Sequence, residues 1–288
     1  MFVPFLVVAI IFAFTSLKNT TKITKPRIDY LSIIESAVGF ASLVASVSLA
    51  SDLGLTSIPV IGLFVLAIIV LALYVHRQLM LENPILNLKV FKHVAFTKGT
   101  LLVMIDFGII LSAMYLLPQY IQRGMLVPVA LTGIIMLPGG IVNAAISGLA
   151  GRMFDKYGAK ILATIGFIIA IIGAIMLLNV STHTSVAYII AAHVILMIGC
   201  PLAMSPSQTH ALNSLEIYES ADGSTIINTL QQIVGAIATA MATSLLQMGI
   251  TASHGASSAV TFTHGVHNGI IFTIVLAVID WITDCIVD

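Results

Sequence analysis

The residue best placed to do chemistry in this sequence is Asp106, an acid in the middle of an apolar run. It lies eight positions past Lys98, so a helix carries it about 12 Å inward from that lysine at 1.5 Å per residue. An aspartate at the centre of a membrane costs roughly 2.5–3.5 kcal/mol on insertion scales, which requires it to face protein or water. Gly99, Ala113 and Tyr120 share its helical face at seven-residue steps. Two roles fit: a carboxyl that couples to protons or binds a cation, or an acid paired with a polar neighbour for structure alone.

Amides form the next group. Asn143 shares a face with Thr132, Gly140, Ser147 and Gly151, and a second stripe holds Asn228, Gln231, Gln232, Gly235, Thr239 and Ala242. Small residues let helix backbones approach, and amides between them act as hydrogen-bond glue. The same amides can line a water-filled substrate cavity, and the two roles are compatible. Pro138, Gly139 and Gly140 are expected to bend or loosen the first of these helices.

The remaining candidates say less. Glu35 is one turn inside its helix and is expected to reach the interface; His193, mid-helix, could titrate but is read as a satisfied packing residue. His264 and His267 fall near a solvated surface and are not read as a metal site, and Asp280 and Asp284, one turn apart, are read as interfacial. Cys200 and Cys285 sit in apolar runs, which suggests neither a disulfide framework nor a metal site. No nucleophile constellation, phosphate-cradling loop or zinc signature stands out, so the sequence does not point to an enzyme.

The elements that hold these residues follow from composition. Of 288 residues, 59% are apolar and 8% charged, against about 25% charged in ordinary soluble domains. Folded in water, such a chain would expose apolar patches far beyond what soluble monomers tolerate, so lipid must be its solvent. The net charge is zero, with no basic stripe for nucleic acid. Runs near the roughly 20 residues that span hydrocarbon fall at about 1–17, 31–51, 57–76, 99–118, 128–150, 160–179, 185–205, 225–248 and 266–287. They lack the alternation of a membrane barrel, which leaves helices, about nine of them. The first run lacks the basic start and small-residue cleavage site of a signal peptide and is read as a retained helix.

Counting alternate loops places every Lys and Arg except Arg123 on one side. The positive-inside rule makes that side cytoplasmic, with the N-terminus outside and the C-terminus inside. In the loop 151–160, Arg152, Lys156 and Lys160 accompany two glycines, and Asp155 is expected to cap the following helix or to pair with Arg152 or Lys156.

This loop, Gly151-Arg152-Met153-Phe154-Asp155-Lys156-Tyr157-Gly158-Ala159-Lys160, resembles the second copy of the signature loop of the major facilitator superfamily. Further segments resemble one branch, the fourteen-helix drug:proton antiporters of the EmrB/QacA type, and within it the lincomycin-resistance-type members. They are Leu117-Pro118-Gln119-Tyr120-Ile121-Gln122, Leu137-Pro138-Gly139-Gly140, and the stretch from Asp222-Gly223-Ser224 through Asn228-Thr229-Leu230-Gln231-Gln232 to Gly235-Ala236.

The resemblance implies a map. Residues 1–17 would close the N-terminal bundle, 18–30 would be a cytoplasmic loop, and 31–76 two extra linker helices. Residues 77–98 would be a cytoplasmic connector and 99–288 the C-terminal six-helix bundle. It implies multi-pass residence in the cell membrane and efflux of amphipathic or cationic drug-like molecules by alternating access. No cofactor is implied, the energy coming from a proton gradient. Asp106, Asn143, Asn228, Gln231 and Gln232 would belong to the transport pathway or proton coupling. Gly151, Arg152, Asp155, Lys156 and Gly158 would stabilise one access state through an ion pair present in that state alone.

Helices one to five of the family pattern have no counterpart in this sequence, and the substrate site of such folds lies between two bundles. The expectation is therefore an N-terminally truncated form, or one half of a split transporter, inactive without its N-terminal bundle. A metabolite or lipid exporter, or a non-transporting membrane scaffold, are the alternatives.

Overall fold

Backbone amides in lipid have only each other as partners, and the long apolar runs accordingly form helices. The computed structural model describes residues 29–54, 57–81, 84–253 and 258–286, without the side chains of 51–52 and 285–286. It divides into two units, Met1–Tyr30 and Leu31–Asp288, and the second carries the helical bundle. The expected helix at 1–17 and nearly all of the loop 18–30, with Lys18, Lys22, Lys25 and Arg27, lie outside the described residues.

Helix α1 spans Tyr30–Leu53 and α2 spans Ile58–Met80, the latter started by Pro59 behind an extended Ser57. The two meet where Gly39 abuts Leu71 and where Gln78 Nε2 donates to Ser32 Oγ at 2.7 Å. A 3₁₀ turn, Leu88–Lys92, leads into α3, Val94–Gln119, which continues as a π-helical turn over Tyr120–Gly124. Then come α4 (Val129–Leu178), α5 (Val186–Asn213), α6 (Ser220–Ala252) and α7 (Ser258–Ile286). There is no strand among the described residues.

Seven of the described helices are long and apolar enough to cross a membrane, where the sequence suggested nine spans. Part of the difference is the undescribed segment 1–17. The rest lies in α4, whose 50 residues would stretch about 75 Å if straight, more than twice the hydrocarbon thickness. The expected spans 128–150 and 160–179 both belong to this element, which is broken at Gly158 (φ 77°, ψ 169°).

The chain turns back at that glycine. On the first arm, Gly139 contacts His193 and Asn143 Nδ2 reaches Met197 Sδ at 3.5 Å, so this arm runs parallel to α5. On the second, Gly166 meets Ala203 and Gly199 while Gly173 meets Leu196, which is antiparallel. Both arms therefore flank α5 in opposite directions, and Ala150 and Leu162, on either side of the turn, bury together with Leu202. Each arm is long enough to cross the hydrocarbon.

The same counting orders the other helices. Gly99 on α3 meets Ser207 and Ala211 of α5, Gly269 of α7 meets Leu116 of α3, and Gly265 of α7 meets Leu246 of α6. Gly99 and Gly265 admit a neighbouring backbone, and Gly269 the Leu116 side chain, where a further side chain would not fit. The outer faces carry the exposed apolar residues lipid requires, among them Ile68, Ile69 and Leu73 on α2 and Ile134, Leu137 and Ile141 on α4.

The helices also outrun the expected spans. α3 starts five residues before 99, and α5 continues through Pro201 and Pro206 to Asn213. Polar ends extend a helix without extending its apolar run, so hydropathy understates its length. Dihedrals in α4 leave the helical range only at Gly158; Pro138, Gly139 and Gly140 stay helical.

Candidate functional site

Asp106 lies where α3, α5 and α7 meet. The antiparallel register set by Gly99 against Ser207 and Ala211 carries it to the level of Cys200 on α5. Toward α7, the hydroxyls of Ser112 and Thr273 share a hydrogen bond of 2.9 Å and Gly269 packs on Leu116, so counting back brings Asp106 level with Asp280. The Cys200 thiol interacts with Asp106, the charges of Asp106 and Asp280 both act on that thiol, and the charge of Asp106 acts on Asp280. Asp106 and Asp280 are each 0% exposed. None of their carboxyl oxygens receives a hydrogen bond of acceptable geometry, the Cys200 thiol included.

One turn along α7, Asp284 is also buried but is partnered: its Oδ2 accepts from Thr164 Oγ1 at 2.5 Å, and Lys160 acts on it electrostatically. Asp280 and Asp284, expected to be interfacial, are both covered by protein. Side chains of neighbouring helices cover both acids, which no single helix's hydropathy reveals.

Beside Asp284 lies a cavity of about 830 Å³, lined by Lys98, Leu102, Tyr157, Lys160 and His210 among others. It gathers the start of α3, the α4 turn and the ends of α5 and α7 at one end of the bundle. Arg123 belongs to the other end, its guanidinium 5.0 Å from the centroid of the Phe262 ring. There Tyr120 donates to the Ser181 carbonyl at 2.7 Å, and a ring nitrogen of His267 pairs with the Val180 carbonyl at 2.8 Å.

The amides do not join Asp106. Gln231 is buried on α6, and Asn228 is exposed. Gln232 lines a groove of about 580 Å³ with Tyr115 of α3, Thr239 and Thr243 of α6, and Ser48 of α1. Asn143 is half-buried against Met197. On the first arm of α4, Gly140 and Gly151 face open space, so this part of the small-residue stripe is uncovered among the described residues.

In the 151–160 turn, Gly151, Arg152, Asp155, Lys156 and Gly158 are all exposed. Asp155 neither caps a new helix nor forms an ion pair among the described residues, because helical backbone runs through it and the break falls three residues later. Lys156 instead sits 5.0 Å from the centroid of the Tyr157 ring.

His193 packs against Gly139 as a core residue but is not satisfied: its Nδ1 has no partner. Glu35 is half-buried, with Oε2 enclosed and unpartnered, so it does not reach the interface freely. His264 and His267 meet edge to face with ring centroids 6.0 Å apart. No group of three metal-ligating side chains occurs among the described residues.

Comparison with known proteins places these features in a family. The model of the Major Facilitator Superfamily matches residues 1–239. The chain is 40% identical over 283 residues to a lincomycin resistance protein, LmrB, of Listeria monocytogenes, covering 96% of this chain and 60% of that protein. LmrB of Bacillus subtilis is 39% identical over 286 residues, with the same coverage. A multidrug efflux pump of Mycolicibacterium smegmatis, LfrA, is 25% identical over 213 residues, covering 74% of this chain and 42% of the pump. The chain thus spans about 60% of the length of its lincomycin-resistance relatives.

Proposed function

The chain belongs to the Major Facilitator Superfamily, and we propose that it supplies the C-terminal bundle of a two-bundle drug:proton antiporter of the fourteen-helix branch. The observation that carries this reading is the match along 96% of the chain to proteins named for lincomycin resistance. In this reading residues 1–17 add a ninth span, 31–76 are linker helices, and the cation-rich end faces the cytoplasm with the N-terminus outside. The membrane is the cell membrane.

Transport belongs to the two bundles together. Substrate sites in such folds lie at the midplane between repeats, and the uncovered face of Gly140 and Gly151 with Asn143 beside it suits contact with a second bundle. Small residues permit close approach there, and Asn143, Asn228 and Gln232 can exchange hydrogen bonds as the bundles rock. The turn holding Arg152, Asp155 and Lys156 is exposed, free to pair with the other bundle in one access state and to bias the equilibrium toward it. Asp106 would carry the coupling proton. No step makes or breaks a covalent bond in the substrate.

Everted vesicles carrying this chain together with an N-terminal bundle test the proposal. Adding lincosamides or cationic dyes to respiring vesicles is expected to collapse part of the acid-inside gradient as drug enters and protons leave. Asp106→Asn is expected to abolish that response while drug binding persists. A complete transporter that ignores drugs but moves a metabolite or a lipid would place it elsewhere in the superfamily.

A further inference from the structure

Asp280 is absent from the family motifs found in the sequence, yet it shares with Asp106 the least solvated position of any acid in the described chain. Both are wholly buried, the charge of Asp106 acts on Asp280 across the contact of α3 with α7, and none of their oxygens has a hydrogen-bond partner. A buried, unpaired carboxylate is strongly disfavoured, and two together more so. The side chains that act on the pair are Cys200 from α5 and Asp284 from α7, with no cation among them, and α6 meets α3 beside the pair through the apolar Val234 and Ala238, which pack on Gly108. Lys160 and Thr164 of α4 act on Asp284. A proton on one carboxyl removes a charge and supplies the missing donor.

Asp284 stands between the cavity and this pair along α7. Asp284 lines the 830 Å³ cavity at the cation-rich end, and Asp280 follows one turn deeper on the same face of α7. Elsewhere the cavity wall includes Leu102 and Ala163, which bury with Phe167 and Ala203 in an apolar cluster. On α7 the polar steps inward are carboxylates.

We propose that Asp106 and Asp280 together hold one exchangeable proton, which they receive from the cavity through Asp284. Asp284 takes a proton from cavity water, and its O–H bond breaks as one forms on Asp280. Asp284 returns to carboxylate, and the proton is then shared between Asp280 and Asp106. The pair gains one proton and the water loses one. The use of this proton in efflux rests on the antiporter reading, but its presence does not and can be measured without transport.

The test is infrared difference spectroscopy of the purified chain in lipid, with carbon-13-labelled aspartate. A protonated-carboxyl band that shifts with the label and on deuterium exchange is expected, lost in Asp106→Asn and in Asp280→Asn and retained in Cys200→Ala. Asp284→Asn is expected to keep the band and to slow its deuterium exchange by about a hundredfold. The unsubstituted labelled protein keeps the test decisive if a variant does not fold. Absence of a protonated aspartate band overturns the proposal, as does a band removed by sodium ions, which would mark a cation site. Exchange as fast in Asp284→Asn as in the parent overturns the route. A positive spectrum with no drug-driven proton movement would instead count against the antiporter reading alone.

Discussion

Gly139 and Gly199 both sit at helix contacts, but what would meet a new Cβ differs. At Gly139 it is the His193 ring, a side chain that can move; at Gly199 it is the Ala170 backbone nitrogen, which cannot. Overpacking a fitted interior costs about 1–3 kcal/mol. Gly199→Ala is expected to show that loss in thermal unfolding of the purified protein, and Gly139→Ala a smaller one. His193→Ala should relieve the second substitution and leave the first unchanged; equal rescue of both would show that the two contacts are not as described. At the opposite end of the bundle, Tyr120→Phe removes the hydrogen bond to the Ser181 carbonyl. It is expected to cost about 0.6 kcal/mol, the average for such bonds in a membrane protein.

At the scale of elements, the reversal of α4 rests on one residue. Gly158 has a positive φ with an extended ψ, a combination essentially restricted to glycine and costing other residues about 1–3 kcal/mol. Gly158→Ala is expected to lower stability by that amount and to loosen the pairing of the two arms. Disulfide trapping between Ala150→Cys and Leu162→Cys, whose parent residues share one buried cluster, reads that pairing directly. Efficient trapping in the parent and a marked loss beside Gly158→Ala is the expected pattern. Unchanged trapping would mean that helix packing on α5 sets the hairpin without the glycine.

For the whole molecule, the packing directions and the charges agree. Lys98, Tyr157, Lys160, His210 and Asp284 border one cavity, while Arg123 and His267 lie at the other end. Single cysteines introduced as Lys156→Cys and Arg123→Cys, with the native cysteines replaced, are therefore expected to react with impermeant reagents from opposite sides of the membrane. Reaction of both from one side would break the alternation of passes on which the fold depends.

Composition alone determined that lipid surrounds this chain, and segment length alone determined that helices cross it. Those are local properties: hydropathy and the cost of an unpaired amide depend on the residues of one segment. Family membership was legible too, because the 151–160 turn and the Asp222 to Ala236 stretch are contiguous strings. The tertiary structure decided which acids are buried together. Asp106 looked isolated and Asp280 interfacial because a carboxylate's surroundings come from other helices, far away in sequence. The separation of Asp106 from the amides of α6 was likewise invisible, since a helical face gives a direction but not the neighbour that occupies it.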